Sequence, residues 1–159
     1  MFSETDNHFM EIALREAVKA FDAGEVPVGC VIVKENRILG KGYNQVKSLK
    51  DPTAHAEIIA ITAAANSLES EFLTGCKMYS TLEPCVMCAG AIISAKIDQL
   101  FFAAFEGKTG ACGSIYNITG EGKLNHTINV ISGLKEYESK SLLKEFFRLL
   151  RNGNINTLH

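Results

Sequence analysis

Two short stretches of this 159-residue chain hold residue types that can do chemistry at a spacing that lets them act together. In the first, Ser80 to Ala95, STLEPCVMCAGAIISA, the cysteines Cys85 and Cys88 stand three residues apart. The stretch reads as the end of a strand, Lys77 to Thr81, turning through Leu82 and Glu83 into a helix with Pro84 at its first position, where a missing N–H costs nothing. Both thiols then share one face of the first turns and lean toward the free N–H groups of the helix end. That end is electropositive, so it lowers a thiol from its usual pKa of about 8.5 and prepares the pair, as thiolates, for a soft cation. Alone, Cys-x-x-Cys fits thiol exchange or structural zinc better than catalysis.

The second stretch, Asp51-Pro52-Thr53-Ala54-His55-Ala56-Glu57, opens another helix, with Asp51 or Thr53 as its N-cap. On the side of a helix, residues two apart point roughly 200° apart, at about 100° per residue. At a helix tip, however, His55 and Glu57 can both reach a metal just beyond the end, where the Cys85 helix aims its own N-terminus. One imidazole and two thiolates leave the fourth tetrahedral position of zinc for water, which is the catalytic count. Such a zinc is electrically neutral and a weak Lewis acid, so Glu57, free of the metal, is needed to accept a proton and hand it on. His-x-Glu followed by Pro-Cys-x-x-Cys is the signature of zinc nucleobase deaminases, whose chemistry needs activated water, a proton shuttle and a dry site.

The elements that must position these stretches are legible in order. An amphipathic helix runs from about His8 to Phe21, with Met10, Ala13, Leu14, Ala17, Val18 and Phe21 on one face. Val28 to Val33 is a continuous apolar run, expected as a strand covered on both faces. A turn at Glu35-Asn36 leads to a return strand, Arg37 to Tyr43, whose Gly40 and Gly42 suit a close approach by another backbone or a ligand, with Asn44 at its end. A polar loop precedes the His55 helix, whose small apolar interior from Ile58 to Ala65 predicts burial. Gln99 to Phe105 and Thr127 to Ile131 read as strands and Glu136 to Asn152 as a last helix, with a long glycine-rich stretch from Glu106 to His126 left irregular. The alternation after one hairpin indicates a single α/β domain over 1–159, a three-layer α-β-α sandwich with a mixed sheet of about five strands.

Composition narrows the function classes. The formal net charge is −2, which argues against a general nucleic-acid coat protein, yet residues 133–159 carry five basic side chains against three acidic ones. Apolar runs fall short of the roughly 20 residues of a membrane span. The polar, acidic start MFSETDNH is no secretory signal, so a cytoplasmic setting is expected. Five cysteines without an export signal favour metal or free thiols over disulfides.

Beyond the signature, the chain resembles the bacterial tRNA-specific adenosine deaminases, which share a cytidine deaminase-like fold, over nearly all its length. The resemblance rests on Glu25-Val26-Pro27-Val28-Gly29, on the His55 and Cys85 stretches, on Lys108-Thr109-Gly110-Ala111, on Leu124-Asn125-His126 and on Phe146-Phe147-Arg148. It implies a homodimer that converts adenosine to inosine at the wobble position of a tRNA anticodon, with zinc on His55, Cys85 and Cys88 and Glu57 as proton shuttle. Asn44, Pro84, Glu106, Lys108, Phe147 and Arg148 would face the anticodon stem-loop. The chain departs from the family's usual residues at Lys50, Phe105 and Glu106, which flank the RNA-facing loops.

Each assignment has an ordinary rival. His8, His126 and His159 read as unremarkable histidines, and Cys30 and Cys76 as core. Cys112 reads as a packing residue, with a fourth metal ligand as the alternative. The stripe Lys140, Lys144, Arg148 and Arg151 is by default a solvated helix face, raised to an RNA candidate only by the resemblance. Deamination of a free base or nucleoside, of guanine, cytosine or cytidine type, shares the zinc signature. A non-catalytic zinc subunit would have no need of Glu57, and a thioredoxin-like protein would hold no stoichiometric zinc.

Overall fold

A computed structural model of the protein describes residues 2–155. The elements run α1 (Glu4–Asp22), β1 (Gly29–Lys34), β2 (Arg37–Tyr43), α2 (Val46–Leu49), α3 (Ala56–Leu68), β3 (Lys77–Leu82), α4 (Val86–Ser94), β4 (Gln99–Ala104), β5 (Asn129–Ser132) and α5 (Glu136–Arg151). His159 lies outside the described residues.

Helix α1 begins ahead of the expected His8 because Ser3 caps it. The Ser3 hydroxyl accepts the Asp6 N–H at 3.0 Å and donates to the Asp6 carboxylate at 2.7 Å. The helix buries Phe9, Met10, Ala13, Ala17 and Ala20, a stripe at spacings of three and four. Val18, expected on that stripe, sits one residue around the helix from Ala17 and is 43% exposed. The polar loop after β2 contains the single turn α2, which nothing in its sequence announced.

The five strands form one sheet in the order β2-β1-β3-β4-β5. β1 pairs antiparallel with both β2 and β3, and β3, β4 and β5 run parallel. The β1–β2 turn places Glu35 and Asn36 at φ 49° and 60°, the twist-matched hairpin geometry. Period-two alternation then sorts the apolar run of β1 to two cores. Val31 and Val33, with Tyr79, Phe101 and Ala103, meet α1 on one face. Cys30 and Ile32, with Met78, Leu100 and Phe102, meet α3 and α4 on the other. Helix α5 packs on the α1 side, where Phe146 is fully buried and meets Phe21 edge-on. The three-layer sandwich read from the sequence is thus the observed fold.

Two glycines set the position of α3. A Cβ at Gly42 would overlap the Ala56 carbonyl and stand 2.8 Å from the Ala60 nitrogen; one at Gly40 would stand 2.6 Å from both the Ala60 oxygen and the Ala64 nitrogen. The helix backbone therefore rests directly on β2, the close approach these glycines suggested. Burial of α3 is one-sided: Ala56, Glu57, Ala60 and Ala64 face inward, while Ile58, Ile59, Thr62 and Ala63 line a shallow outer groove with Leu49 and Ala54.

Candidate active site

The site lies outside the C-terminal end of β3, where open α/β sheets collect their ligands. His55 and Cys85 occupy corresponding places in the chain. Each is the N-cap of its helix, with extended backbone at φ −73°, ψ 154° and φ −75°, ψ 178°. This corrects two details of the sequence reading: Asp51 and Thr53 form a turn of their own rather than the cap of α3, and Pro84 precedes the cap of α4 instead of starting the helix. It also explains how His55 and Glu57 meet. His55 stands outside the helical screw, Glu57 is the second helical residue, and so the two side chains turn to the same side of the tip.

His55, Cys85 and Cys88 bring their ligand atoms within 4.8 Å of one another. The His55 Nδ1 lies 3.7 Å from the Cys85 Sγ and 3.6 Å from the Cys88 Sγ. A tetrahedral zinc with bonds of about 2.3 Å to sulfur and about 2.0 Å to nitrogen needs a sulfur–nitrogen separation of about 3.5 Å, so the donor set fits that ion in chemistry and in size. Within the cluster Cys85 is pulled down to about 4, by the Cys88 thiol first and then by the His55 imidazole, against burial. Cys88 is pushed up by its Cys85 neighbour first and by burial second. The His55 imidazole is raised, chiefly by its hydrogen bond to Cys85. Cys112 is not in the group and sits buried in the core cluster beside α4, the packing place expected of it.

Glu57 is 3% exposed and holds no position in that ligand set. Its Oε2 accepts the Cys88 thiol at 3.3 Å, and its Oε1 lies 3.1 Å from the Ser80 hydroxyl, which also donates to the Leu82 carbonyl at 2.8 Å. Burial pushes the Glu57 carboxyl above the ordinary glutamate range, with its hydrogen bonds and the His55 charge opposing. A carboxyl so placed, between the ligand cluster and the cavity, is within reach to take a proton and return it.

Above the cluster opens a cavity of about 190 Å³, lined by Val26, Val28, Asn44, His55, Ala56, Glu57, Leu82, Glu83, Cys85, Glu106 and Thr109. Asn44 donates through Nδ2 to the Val26 carbonyl at 3.3 Å, while its buried Oδ1 has no partner. An acceptor left unpaired beside a cavity is a cost that a bound ligand's N–H or O–H would remove. Glu106 reaches the cavity, and its Oε1 accepts the Lys108 N–H at 2.9 Å. Pro84 is buried behind the wall, its carbonyl accepting the Ala111 N–H at 2.9 Å.

The remaining expected contacts are elsewhere. Lys108 and Phe147 share a separate groove with Lys144, Leu150 and Arg151. Arg148 is outside that lining, held by Glu145 through bonds of 2.8 and 2.6 Å, and Lys140 pairs with Glu136 at 2.6 Å. Among the described residues, Lys108, Lys144 and Arg151 make no ion pair. His126 bonds the Ile97 carbonyl at 2.7 Å, the structural role expected of it.

Sequence reasoning passed over two buried glutamates. Glu25 accepts the Lys47 and Ser48 N–H groups at 3.0 and 2.9 Å, and Glu83 accepts three backbone N–H groups from the irregular segment after β4. The signal was present: each is the one charged residue in a short uncharged motif that contains a proline, EVPVG and TLEPC.

Comparison with known proteins agrees with this geometry. The pattern of the cytidine and deoxycytidylate deaminase zinc-binding region matches residues 3–104. The tRNA-specific adenosine deaminase of Aquifex aeolicus is 47% identical over 152 residues, covering 93% of this chain and 97% of that protein. The enzyme of the same name from Haemophilus influenzae is 45% identical over 150 residues, covering 94% and 87%. A chain solved in work on A-to-I editing by tRNA deaminases at the wobble position of transfer RNA superposes with a TM-score of 0.83 at 43% identity, covering 86% of this chain and 99% of that one. A cap-positioned His-Cys-Cys cluster, a buried glutamate beside it and this extent of similarity together place the chain in the cytidine and deoxycytidylate deaminase zinc-binding family, among its tRNA-specific adenosine deaminases.

Proposed function

We propose that this protein deaminates adenosine to inosine at the wobble position of a tRNA anticodon, with His55, Cys85 and Cys88 as its zinc ligands and Glu57 as its proton carrier. The observation that carries the reading is the buried Glu57 carboxyl, in contact with the ligand cluster, outside its ligand set and facing the cavity. Bound zinc supplies the Lewis acidity that activates water at neutral pH. Glu57 would take the proton released and deliver it to a ring nitrogen, then take the second proton, from the hydroxyl added at the base carbon, and pass it to the departing amine, which leaves as ammonia. Asn44 presents its unpaired Oδ1 to the base or its sugar, while Val26, Val28 and Leu82 supply apolar walls that keep bulk water away.

A base inside a stack hides its reactive carbon, and an anticodon loop supplies one already splayed. The groove of Lys108, Lys144, Phe147 and Arg151 offers cations that are unpaired among the described residues and a half-exposed aromatic ring to the flanking loop, the combination that holds single strands. Arg148, tied to Glu145, and Pro84, behind the wall, act on this surface only indirectly. The outer apolar groove of α3, with exposed Leu49 beside it, supports a homodimer, which light scattering checks. Among the described residues no helix is long and apolar enough to cross a membrane, and the enzyme meets its tRNA in the cytoplasm.

Incubating bulk tRNA with the protein and measuring inosine by nucleoside mass spectrometry tests the reading. Inosine should appear in tRNA and in an isolated anticodon stem-loop. Turnover of free guanine, cytosine or cytidine without tRNA editing would replace it with the small-molecule reading.

A further inference from the structure

Glu83 is 2% exposed, yet it carries neither a metal-ligand nor a proton-transfer role. All the hydrogen bonds of its carboxylate go to one segment. Oε1 accepts the Glu106 N–H at 3.1 Å and the Ser114 hydroxyl; Oε2 accepts the Cys112 and Ser114 N–H groups, each at 3.0 Å. A carboxylate offers about four acceptor sites, so this one is used to capacity. The segment it gathers, 106–114, has no regular structure apart from isolated bridges; a few backbone bonds such as Ala111 N–H to the Pro84 carbonyl help to hold it, and the Glu83 carboxylate ties its two ends and its middle to one point. Gly110 makes the approach possible, since a Cβ there would stand 2.5 Å from the Glu83 Oε2. Glu106 and Thr109, at one end and in the middle of the segment, line the cavity.

We propose that Glu83 is a positioning residue for substrate: its buried carboxylate holds the 106–114 segment as one wall of the cavity, so substrate affinity depends on it while metal binding does not. The inference rests on the functional reading above only for the identity of the substrate. Cys85 is bridged to Gly110 in this segment but is also anchored from within α4, where its carbonyl accepts the Ala89 N–H at 2.8 Å, and that anchor does not pass through Glu83. Glu83→Gln keeps the shape but turns an acceptor into a donor that faces backbone N–H groups, which repel it.

The test is Glu83→Gln as full-length protein, measured in three ways. Zinc by elemental analysis should stay at one per chain. Hydrogen–deuterium exchange should quicken in peptides spanning 106–114 and not in those spanning 44–50, which Glu25 holds. KM for an anticodon stem-loop should rise on the order of tenfold with kcat less affected, in the range that misplaced positioning elements cost. Loss of zinc would make Glu83 a brace of the metal site and overturn the proposal. So would unchanged exchange, or a fall in kcat at constant KM. Should Glu83→Gln fail to fold, Ser114→Ala removes only the hydroxyl donor and should move exchange and KM in the same direction by less; no movement overturns the proposal. If the wild-type protein edits no tRNA, the zinc and exchange measurements still decide whether Glu83 holds the wall, so the two failures are distinguishable.

Discussion

Substituting Gly42 by alanine should disable the enzyme without replacing any residue of its site. The new Cβ would stand 2.8 Å from the Ala60 nitrogen, against the 3.4 Å at which ordinary contact begins, and closer still to the Ala56 carbonyl. Both neighbours are helix backbone and cannot rotate away. The N-terminal turn of α3 must therefore lift by about 1 Å, because a close-packed interior has no slack to absorb the methyl. Overpacking of this kind costs about 2 kcal/mol, a fall in Tm of roughly 6 °C for a chain of this length. The larger effect is on rate, since that turn carries His55 and Glu57, and a 1 Å error in a catalytic group costs about 10²-fold. Gly40→Ala is the control. Its Cβ meets the Ala60 oxygen and the Ala64 nitrogen, farther along the helix, so it should match the loss of stability with a smaller loss of turnover. Thermal unfolding with turnover on an anticodon stem-loop measures both. A Gly42→Ala enzyme with native Tm and rate, or two variants equally inactive, would refute the reasoning.

Glu57→Gln should retain zinc and fold but lose at least about 10² in kcat, since the carboxyl serves several proton transfers; near-normal turnover would remove it from that role. Cys88→Ala should lose zinc by elemental analysis and melt earlier, structural zinc being worth about 10 kcal/mol or more in apparent binding. Lys144→Gln with Arg151→Gln should weaken stem-loop binding and flatten its salt dependence, each lost phosphate contact removing a slope of about 0.7, whereas Arg148→Gln, already tied to Glu145, should change the slope less. Asp6 is held below the ordinary carboxylate range: burial opposes this, but hydrogen bonds from Tyr79 and Ser3 prevail. Its contribution is therefore complete above about pH 4 and lost as pH falls through the lowered value, so Asp6→Asn should narrow the Tm gap between pH 6 and pH 3; an unchanged gap would count against it.

The strands and the main helices were legible because burial on both faces makes Val28 to Val33 a continuous apolar run, while burial on one face imposes a period near 3.6 on the first and last helices. The ligands were legible because their spacing is fixed by reach from a helix tip. Less visible was anything decided by partners distant in sequence. Val18 and Ala17 are both apolar, and only the packing of α1 on β1 selects which one faces inward. Cap positions slipped because His55 and Cys85 are poor caps by type, and the metal site, not the helix, dictates them. The pairing of Arg148 with Glu145 needed side-chain geometry, and Glu83 needed the loop that it organises.

The division of the ligand set between two helix caps bears on the order in which the molecule assembles. β1, β2 and α3 are neighbours in the chain and pack closely on one another, so this portion can gather early through short loops. Its only ligand is His55. The thiols belong to the β3-α4-β4 portion, which joins the first through β1–β3 pairing across some 50 residues, as in the Gly29 N–H bond to the Thr81 hydroxyl. A coordinated ion therefore staples two halves after each has formed and cannot nucleate either. Its free energy should appear in the unfolding rate and leave the folding rate nearly unchanged, and stopped-flow refolding with and without zinc would show whether it does.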